Sequence, residues 1–310
     1  MPRRYDADFR QRRISNKQVI SLVITLVVAA CAAYQNYERQ HIYSGPSAVA
    51  TSSSQMLLGN PSNAGTDWNN LLLVKPYFVV SYNDSKGEPN WVSWRLTKDD
   101  LGDAPRRKKF STDQTLPEGM RRISEKDYTD SGFDRGHQCP HGDRTKNQEM
   151  SYSTFVMSNI VPQTPALNEK AWNMLEIYCR DLVKRDKARL YIVDGPAGMG
   201  ATGSRGYRDR LAGDTVVVPA FCWKVIVVVP EDGTEDLTDV NANTRVIAVI
   251  VPNKNDLGYD WQQFRTSAEE VEELTGYKFF TALPPEVAAA LRKKVDTKYV
   301  EPQAPPQHFN

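Results

Sequence analysis

A histidine stands two residues after an arginine in Asp134-Arg135-Gly136-His137, and the run continues to Thr145 as DRGHQCPHGDRT, with a second carboxylate at Asp143. Histidine exchanges a proton near neutral pH, and a guanidinium presents a planar fork of donors that matches a phosphate. A base beside an anion clamp is what phosphodiester hydrolysis requires. Gly136 would let the backbone bend where a Cβ obstructs. Taken alone, the run is also compatible with a solvated polar loop.

Thirty residues on, a second constellation appears. Residues 168–187 carry apolar side chains at Trp172, Leu175, Cys179, Leu182 and Val183, a 3/4 spacing that predicts a helix with one buried stripe. At about 100° per residue, Glu176 and Arg180 fall along one edge of that stripe, and Asn168 lies at its N-terminal end. Helical side chains lean toward the N-terminus, which aims Glu176 back at Asn168. An amide oxygen and a carboxylate sharing one corner of a cleft suit a hard cation with oxygen ligands. By themselves, Glu176 and Arg180 also read as a surface i,i+4 ion pair worth about 0.2–0.5 kcal/mol.

Together, the DRGH run, the segment Met157-Ser-Asn-Ile-Val-Pro-Gln163, and Asn168 with Glu176 eight residues later resemble the DNA/RNA non-specific endonuclease family, the ββα-metal or His-Me finger nucleases. The resemblance extends through the strand and Gly-Pro at 193–196, the Val-Pro-x-x-x-x-Lys of 218–224 and Thr275-Gly-Tyr-Lys-Phe-Phe280, so it covers roughly residues 68–283. It implies that His137 is a general base activating water. Asn168 is then the only protein ligand of a single Mg2+, with Mn2+ as an alternative ion, and Glu176 acts on that ion through water. It further implies that Arg135 and Arg180 contact the phosphate and that Asn159 supports the site. An upstream basic residue is also implied, from among Arg106, Arg107, Lys108 and Lys109. Cys139 departs from the resemblance, standing before Pro140 where a small or apolar residue is expected; it leaves a redox effect open. Contacts to phosphate carry no sequence information, so DNA and RNA are both expected substrates.

Three other readings compete with this one. His137, Cys139 and His141, with Cys179 farther on, could hold zinc in an exported interaction protein, although the one-residue spacing is unlike ordinary zinc pairs. A catalytically silent nucleic-acid-binding relative would keep the fold but need not keep His137, Asn168 and Glu176. Finally, Gly198-Met-Gly-Ala-Thr-Gly203 is formally GxGxxG, but SRGYRDRLAGD follows it, without the apolar helix of a dinucleotide fingerprint. A flexible surface loop is expected there.

The positioning elements follow from the periods. Strands are expected at 77–82 and 91–96 around a turn at 83–90, and at 190–193, 216–218, 222–229 and 246–251. Further helices are expected at 267–274, where Ser267 and Glu270 form a capping box, and at 285–294. Hairpin-like strands predominate, so the fold class is α+β, a mostly antiparallel central sheet flanked by helices and carrying a ββα-metal motif. The expected organisation is a basic segment at 1–17, a signal peptide or signal-anchor at 18–34, a flexible linker at 35–67, a nuclease domain at 68–300 and a disordered tail at 301–310. Arginines precede the apolar run 19–33, which predicts export; Val28-Ala-Ala-Cys31 resembles a lipoprotein box. Either a membrane tether through 19–33 or secretion is consistent. Net charge is only +1, so attraction to nucleic acid must come from a local patch, with candidates in 106–109, Arg121, Arg122, Arg135, Arg144 and Lys146. Beyond Cys31, three cysteines remain, which allow one disulfide at most.

Overall fold

The computed structural model describes residues 53–301. Among them, a seven-stranded sheet is antiparallel throughout. With strands numbered along the chain, its order is β1 (Leu71–Val74), β2 (Val79–Asn83), β3 (Glu88–Leu96), β6 (Ala188–Ala197), β11 (Phe221–Pro230), β12 (Arg245–Pro252) and β13 (Arg265–Thr266). Both faces of this sheet are covered, which explains why its strands read as near-continuous apolar runs. Alternation along each strand sorts the side chains. Val92, Trp94, Leu190, Ile192, Cys222 and Ile226 pack on one face with Trp172, Leu175, Cys179, Leu182 and Val183. Trp91, Tyr191, Trp223, Val225 and Val227 pack on the other with Val271, Phe279 and Leu291.

The helix on the first face is α2 (Asn173–Arg185), following a six-residue helix, α1 (Gln148–Ser153). Helices α3 (Ala268–Thr275) and α4 (Pro285–Arg292) cover the second face. The capping box forms as expected: Glu270 N donates to Ser267 Oγ at 3.1 Å and Ser267 N donates to Glu270 Oε2 at 3.2 Å. The expected stripe of the helix over 168–187 is buried throughout, but its first turn is not α-helical. Residues Leu167–Trp172 form a π turn and regular α-helix begins at Asn173. The 100° periodicity therefore does not carry from Asn168 to Glu176.

Among the described residues, three two-stranded ribbons stand outside the large sheet. β4 (Asp134–His137) pairs with β5 (Ile160–Gln163), β7 (Ala201–Gly203) with β8 (Gly206–Arg208), and β9 (Arg210–Leu211) with β10 (Val216–Val217). The DRGH run is thus a strand, which its lack of apolar alternation concealed. The β7–β8 hairpin corrects the expected loop at 198–203. Buried Asn253 ties β5 to the main sheet: its Oδ1 accepts from Thr164 N at 2.8 Å, and its Nδ2 donates to Pro162 O and Pro219 O, both at 2.9 Å.

The linker expectation is corrected at its C-terminal end. Met56, Leu58 and Ala64 are buried, and Gln55 accepts from Arg95 N at 2.9 Å and Arg144 Nη2 at 3.2 Å. Small polar residues there make capping and turn contacts, which composition does not distinguish from flexible coil. Cys139, Cys179 and Cys222 are all buried and free. Among the described residues no helix is long and apolar enough to cross a membrane. The expectations on segments 1–17 and 18–34 lie outside the described residues, as does the tail beyond Glu301.

Candidate active site

Strands β4 and β5 and the helical segment beginning at Leu167 make a ββα unit. Its hairpin register pairs His137 with Ile160, Gly136 with Val161 and Asp134 with Gln163. Alternation puts Arg135 and His137 on one face of β4 and Asp134 on the other. Gly136 is required by close approach, not by a bend: a Cβ there would lie 2.2 Å from the Gln163 Oε1 of the opposing strand.

His137 is buried in a cluster of three rings, 5.3 Å from Phe110 and 4.8 Å from Phe155 by ring centroids with the two phenyls 5.2 Å from each other, and its Nε2 has no hydrogen-bond partner. Burial holds its pKa well below the usual histidine range, and the positive charge of Arg106 and the nearby His141 push the same way. The imidazole is therefore neutral at pH 7 and able to accept a proton. The loop beyond it is clamped by Asn159, whose Oδ1 accepts from Cys139 N at 2.9 Å and whose Nδ2 donates to Cys139 O at 2.8 Å and Thr154 O at 2.9 Å. Asn159 thus fixes the backbone immediately after His137. The Cys139 thiol is pushed up by burial, which disfavours the thiolate a zinc ligand needs.

Asn168 sits in the π turn. Its Nδ2 donates to Asp134 Oδ2 at 3.0 Å, which turns the amide oxygen away from that carboxylate. π turns widen a helix locally and recur at functional sites. Beside Asn168 opens a cleft of about 550 Å3 lined by Arg106, Phe110, Tyr128, Asp134, Arg135 and Asn168, together with Thr129, Asp130, Phe133 and Glu169. Among the described residues no group of three or more His, Cys, Asp or Glu is arranged to hold a metal. The donors offered here are oxygens, from the Asn168 amide and from the Asp134 and Glu169 carboxylates. That set fits a hard cation completing its shell with water better than a thiophilic one.

Two guanidiniums face this cleft. Arg135 lies 5.0 Å from the Phe110 ring centroid with its Nε unbonded, and Arg106 lies 5.2 Å from that of Phe155. Of the four basic candidates at 106–109, Arg106 is the one that lines the cleft; Arg107 stacks instead at 5.6 Å on Tyr152. Arg180 does not line it. Its Nη1 lies 3.0 Å from Asp143 Oδ1 and 3.9 Å from Glu176 Oε2, and Trp94 Nε1 donates to the other Asp143 oxygen at 3.0 Å. Two basic-patch expectations also change. Arg144 is fully buried, donating to the carbonyls of Tyr77, Arg95 and Asp143, so it carries no surface charge. Arg122 spends its donors on the carbonyls of Asp113 and Leu116.

Beneath Glu176 lies a layer of buried charge that sequence reading missed. Lys224 Nζ is 2.7 Å from Asp194 Oδ2 across directly paired strands, and it sits over Trp94 and Trp172 at 4.8 and 4.6 Å. Burial alone would lower the Lys224 pKa, but Asp194 and Glu176 hold it up. Burial pushes Glu176 up to about 7; Lys224 and Arg180 oppose the shift, and Asp143 and Asp194 add to it. The missed signal was a lysine within the apolar run at 222–229 and an aspartate just after that at 190–193, each needing a partner when buried.

The profile of the DNA/RNA non-specific endonucleases matches residues 59–286. A protein named Nuclease from Nostoc sp. is 43% identical over 247 residues, covering 79% of this chain and 86% of that protein. The human mitochondrial nuclease EXOG is 33% identical over 66% of this chain, which spans 55% of the human protein. In the crystal structure of the EndoG/EndoGI complex, one chain superposes with a TM-score of 0.62 at 26% identity, over 76% of this chain and 94% of that one.

Proposed function

The chain belongs to the DNA/RNA non-specific endonuclease family, a family of metal-dependent nucleases, and from that premise we propose that it cuts DNA and RNA by Mg2+-dependent hydrolysis with His137 as general base and Asn168 as the ion's protein ligand. The observation that carries the assignment is the state of His137. It is packed against two rings and left with an unbonded Nε2, and burial pushes its pKa down.

In this reading, His137 takes a proton from the attacking water through its unbonded Nε2, whose lone pair is free in the unprotonated imidazole. Arg135 and Arg106 hold the scissile phosphate with donors that aromatic stacking leaves free. Asp134 keeps the Asn168 amide oriented with its oxygen available to hold a cation, which when bound would supply Lewis-acid stabilisation of charge on phosphate and leaving oxygen. Glu176, one α-helical turn beyond the π turn, serves as an acceptor for ordered water. Arg180, bound to Asp143 and near Glu176, holds that carboxylate in place; any contact it makes with phosphate is secondary. The basic residues at 1–17 and the apolar run at 19–33 support an exported protein, tethered or released, which cell fractionation would separate.

Digestion of plasmid DNA and of RNA, with and without EDTA, tests the activity. Both polymers should be degraded to many products and both reactions should stop on chelation. Binding without cleavage in Mg2+ would favour the catalytically silent alternative. Stoichiometric zinc bound through Cys139 would favour the interaction protein.

A further inference from the structure

The glycine-rich stretch at 198–203 is unused by the mechanism, yet it is built to place a hairpin against the cleft. Gly203 packs where a Cβ would meet Gly132 O at 2.6 Å and the Phe133 ring at 2.7 Å, and Ser204 N donates to Gly132 O at 3.0 Å. Gly200 leaves room for the Tyr207 hydroxyl, which a Cβ would meet at 2.0 Å. These glycines serve close packing, where a nucleotide fingerprint would use them to admit a pyrophosphate. Phe133 and Asp130 are themselves walls of the cleft, and Arg205 Nη2 pairs with Asp130 Oδ1 at 2.8 Å. The hairpin is therefore continuous with the cleft rim.

What it presents to solvent is an aromatic ring and guanidiniums. Tyr207 is 61% exposed although its hydroxyl is seated over Gly200, and Arg205 and Arg208 flank it. Apart from its hydroxyl end at Gly200 the ring is open to solvent, and it takes no part in the buried cluster that includes Phe133, Ala201 and Leu211. Aromatic faces interleaved with basic side chains are how proteins hold unpaired bases while tracking a backbone. Asp209 is the only carboxylate in the segment 201–210.

We propose that the β7–β8 hairpin is an extension of the substrate track, with Tyr207 stacking an unpaired base and Arg205 and Arg208 contacting phosphates of a strand running out of the cleft. It rests on the nuclease reading above and adds to it a preference for strands with exposed bases, since duplex stacking hides base faces from Tyr207.

The test uses Tyr207→Ala, Tyr207→Phe and the double variant Arg205→Ala/Arg208→Ala in the full chain. Substrates are long single strands, duplex DNA of the same sequence, and bis(p-nitrophenyl) phosphate, a diester too short to leave the cleft. Tyr207→Ala should raise KM for single strands by about fivefold or more. It should raise KM less for duplex and leave kcat and cleavage of the short diester unchanged; Tyr207→Phe should restore the wild-type value. The double variant should flatten the salt dependence of single-strand binding by about 1.4 log units per log unit of salt, from two lost phosphate contacts. Unchanged KM on single strands would overturn the proposal, and so would an equal loss on the short diester, which would make the hairpin a scaffold of the cleft. If the wild-type protein cleaves neither polymer nor diester, the nuclease reading itself fails.

Discussion

Arg106 and Arg135 differ from Arg144 and Arg180 in one respect that decides what each can do. The first two are laid on phenyl rings at 5.2 and 5.0 Å, which hold the guanidinium plane and leave most of its donors unused, Arg135 Nη1 donating only a long bond to Glu125 O at 3.4 Å. The second two are spent: Arg144 on three backbone carbonyls and Arg180 on Asp143. Stacking keeps an arginine ready for an anion; burial with its hydrogen bonds spent on the interior makes it part of the fold. All four lie within or near the motifs that resemble the family, and residue type alone does not separate them.

The largest effect should come from the proposed base, His137. His137→Ala should lower kcat about 10²–10⁴-fold while binding of nucleic acid persists. A variant keeping more than about a tenth of the rate would remove His137 from that role. Asn168→Ala should come next, abolishing the response to Mg2+, with Asn168→Asp recovering part of it by restoring an oxygen donor. Equal rates for both variants and wild type at limiting Mg2+ would show that the ion is held elsewhere.

The contrast between the arginines predicts opposite phenotypes for one substitution. Arg144→Met should cost roughly 3–5 kcal/mol in chemical denaturation, because three buried carbonyls lose their donor. Arg135→Met should leave stability within about 0.5 kcal/mol and instead raise KM for DNA and RNA alike. If the two variants lose stability equally, the division between free and consumed guanidiniums is wrong.

A smaller effect concerns pH. Glu176 is raised in the folded state from the ordinary carboxyl range to about 7. Its contribution to stability is thus fully present below pH ~4.5 and is lost as pH rises through 7. Glu176→Gln, measured in EDTA, should be as stable as wild type near pH 4.5 and more stable by about 1–3 kcal/mol at pH 8. His137 works in the opposite sense. Its folded pKa lies below the unfolded value, so its contribution is complete above pH ~6.5 and falls as pH drops below that. A flat difference between Glu176→Gln and wild type across this range would mean that the carboxylate is better solvated than its surroundings suggest.

The candidate site was legible in the sequence wherever its chemistry would be encoded by neighbouring residues. His137, Arg135 and Asn168 stand in short motifs, and the stripe from Trp172 to Val183 announces its own buried face. Legibility ended where a residue's role is set by a distant partner. Nothing near Arg144 indicates that the carbonyls of Tyr77 and Arg95 will enclose it, and nothing at 106–109 singles out Arg106 until Phe155 is brought beneath it. The π turn was hidden for a different reason: an extra residue in one helical turn leaves the apolar stripe intact from Trp172 onward and changes only the direction of Asn168.

Asn253 gives the β4–β5 pair its attachment, and that attachment bears on how the candidate site breathes. The β4–β5 ladder is four residue pairs long, against ten between β6 and β11. Its amides should therefore exchange with solvent deuterium through a local opening that leaves the large sheet closed. The bonds from Asn253 to Thr164 and Pro162 are what such an opening must break. A polar side chain contributed by the end of β12 would then set how often the histidine's strand is released, making the sheet a governor of the site's fluctuations as well as its support.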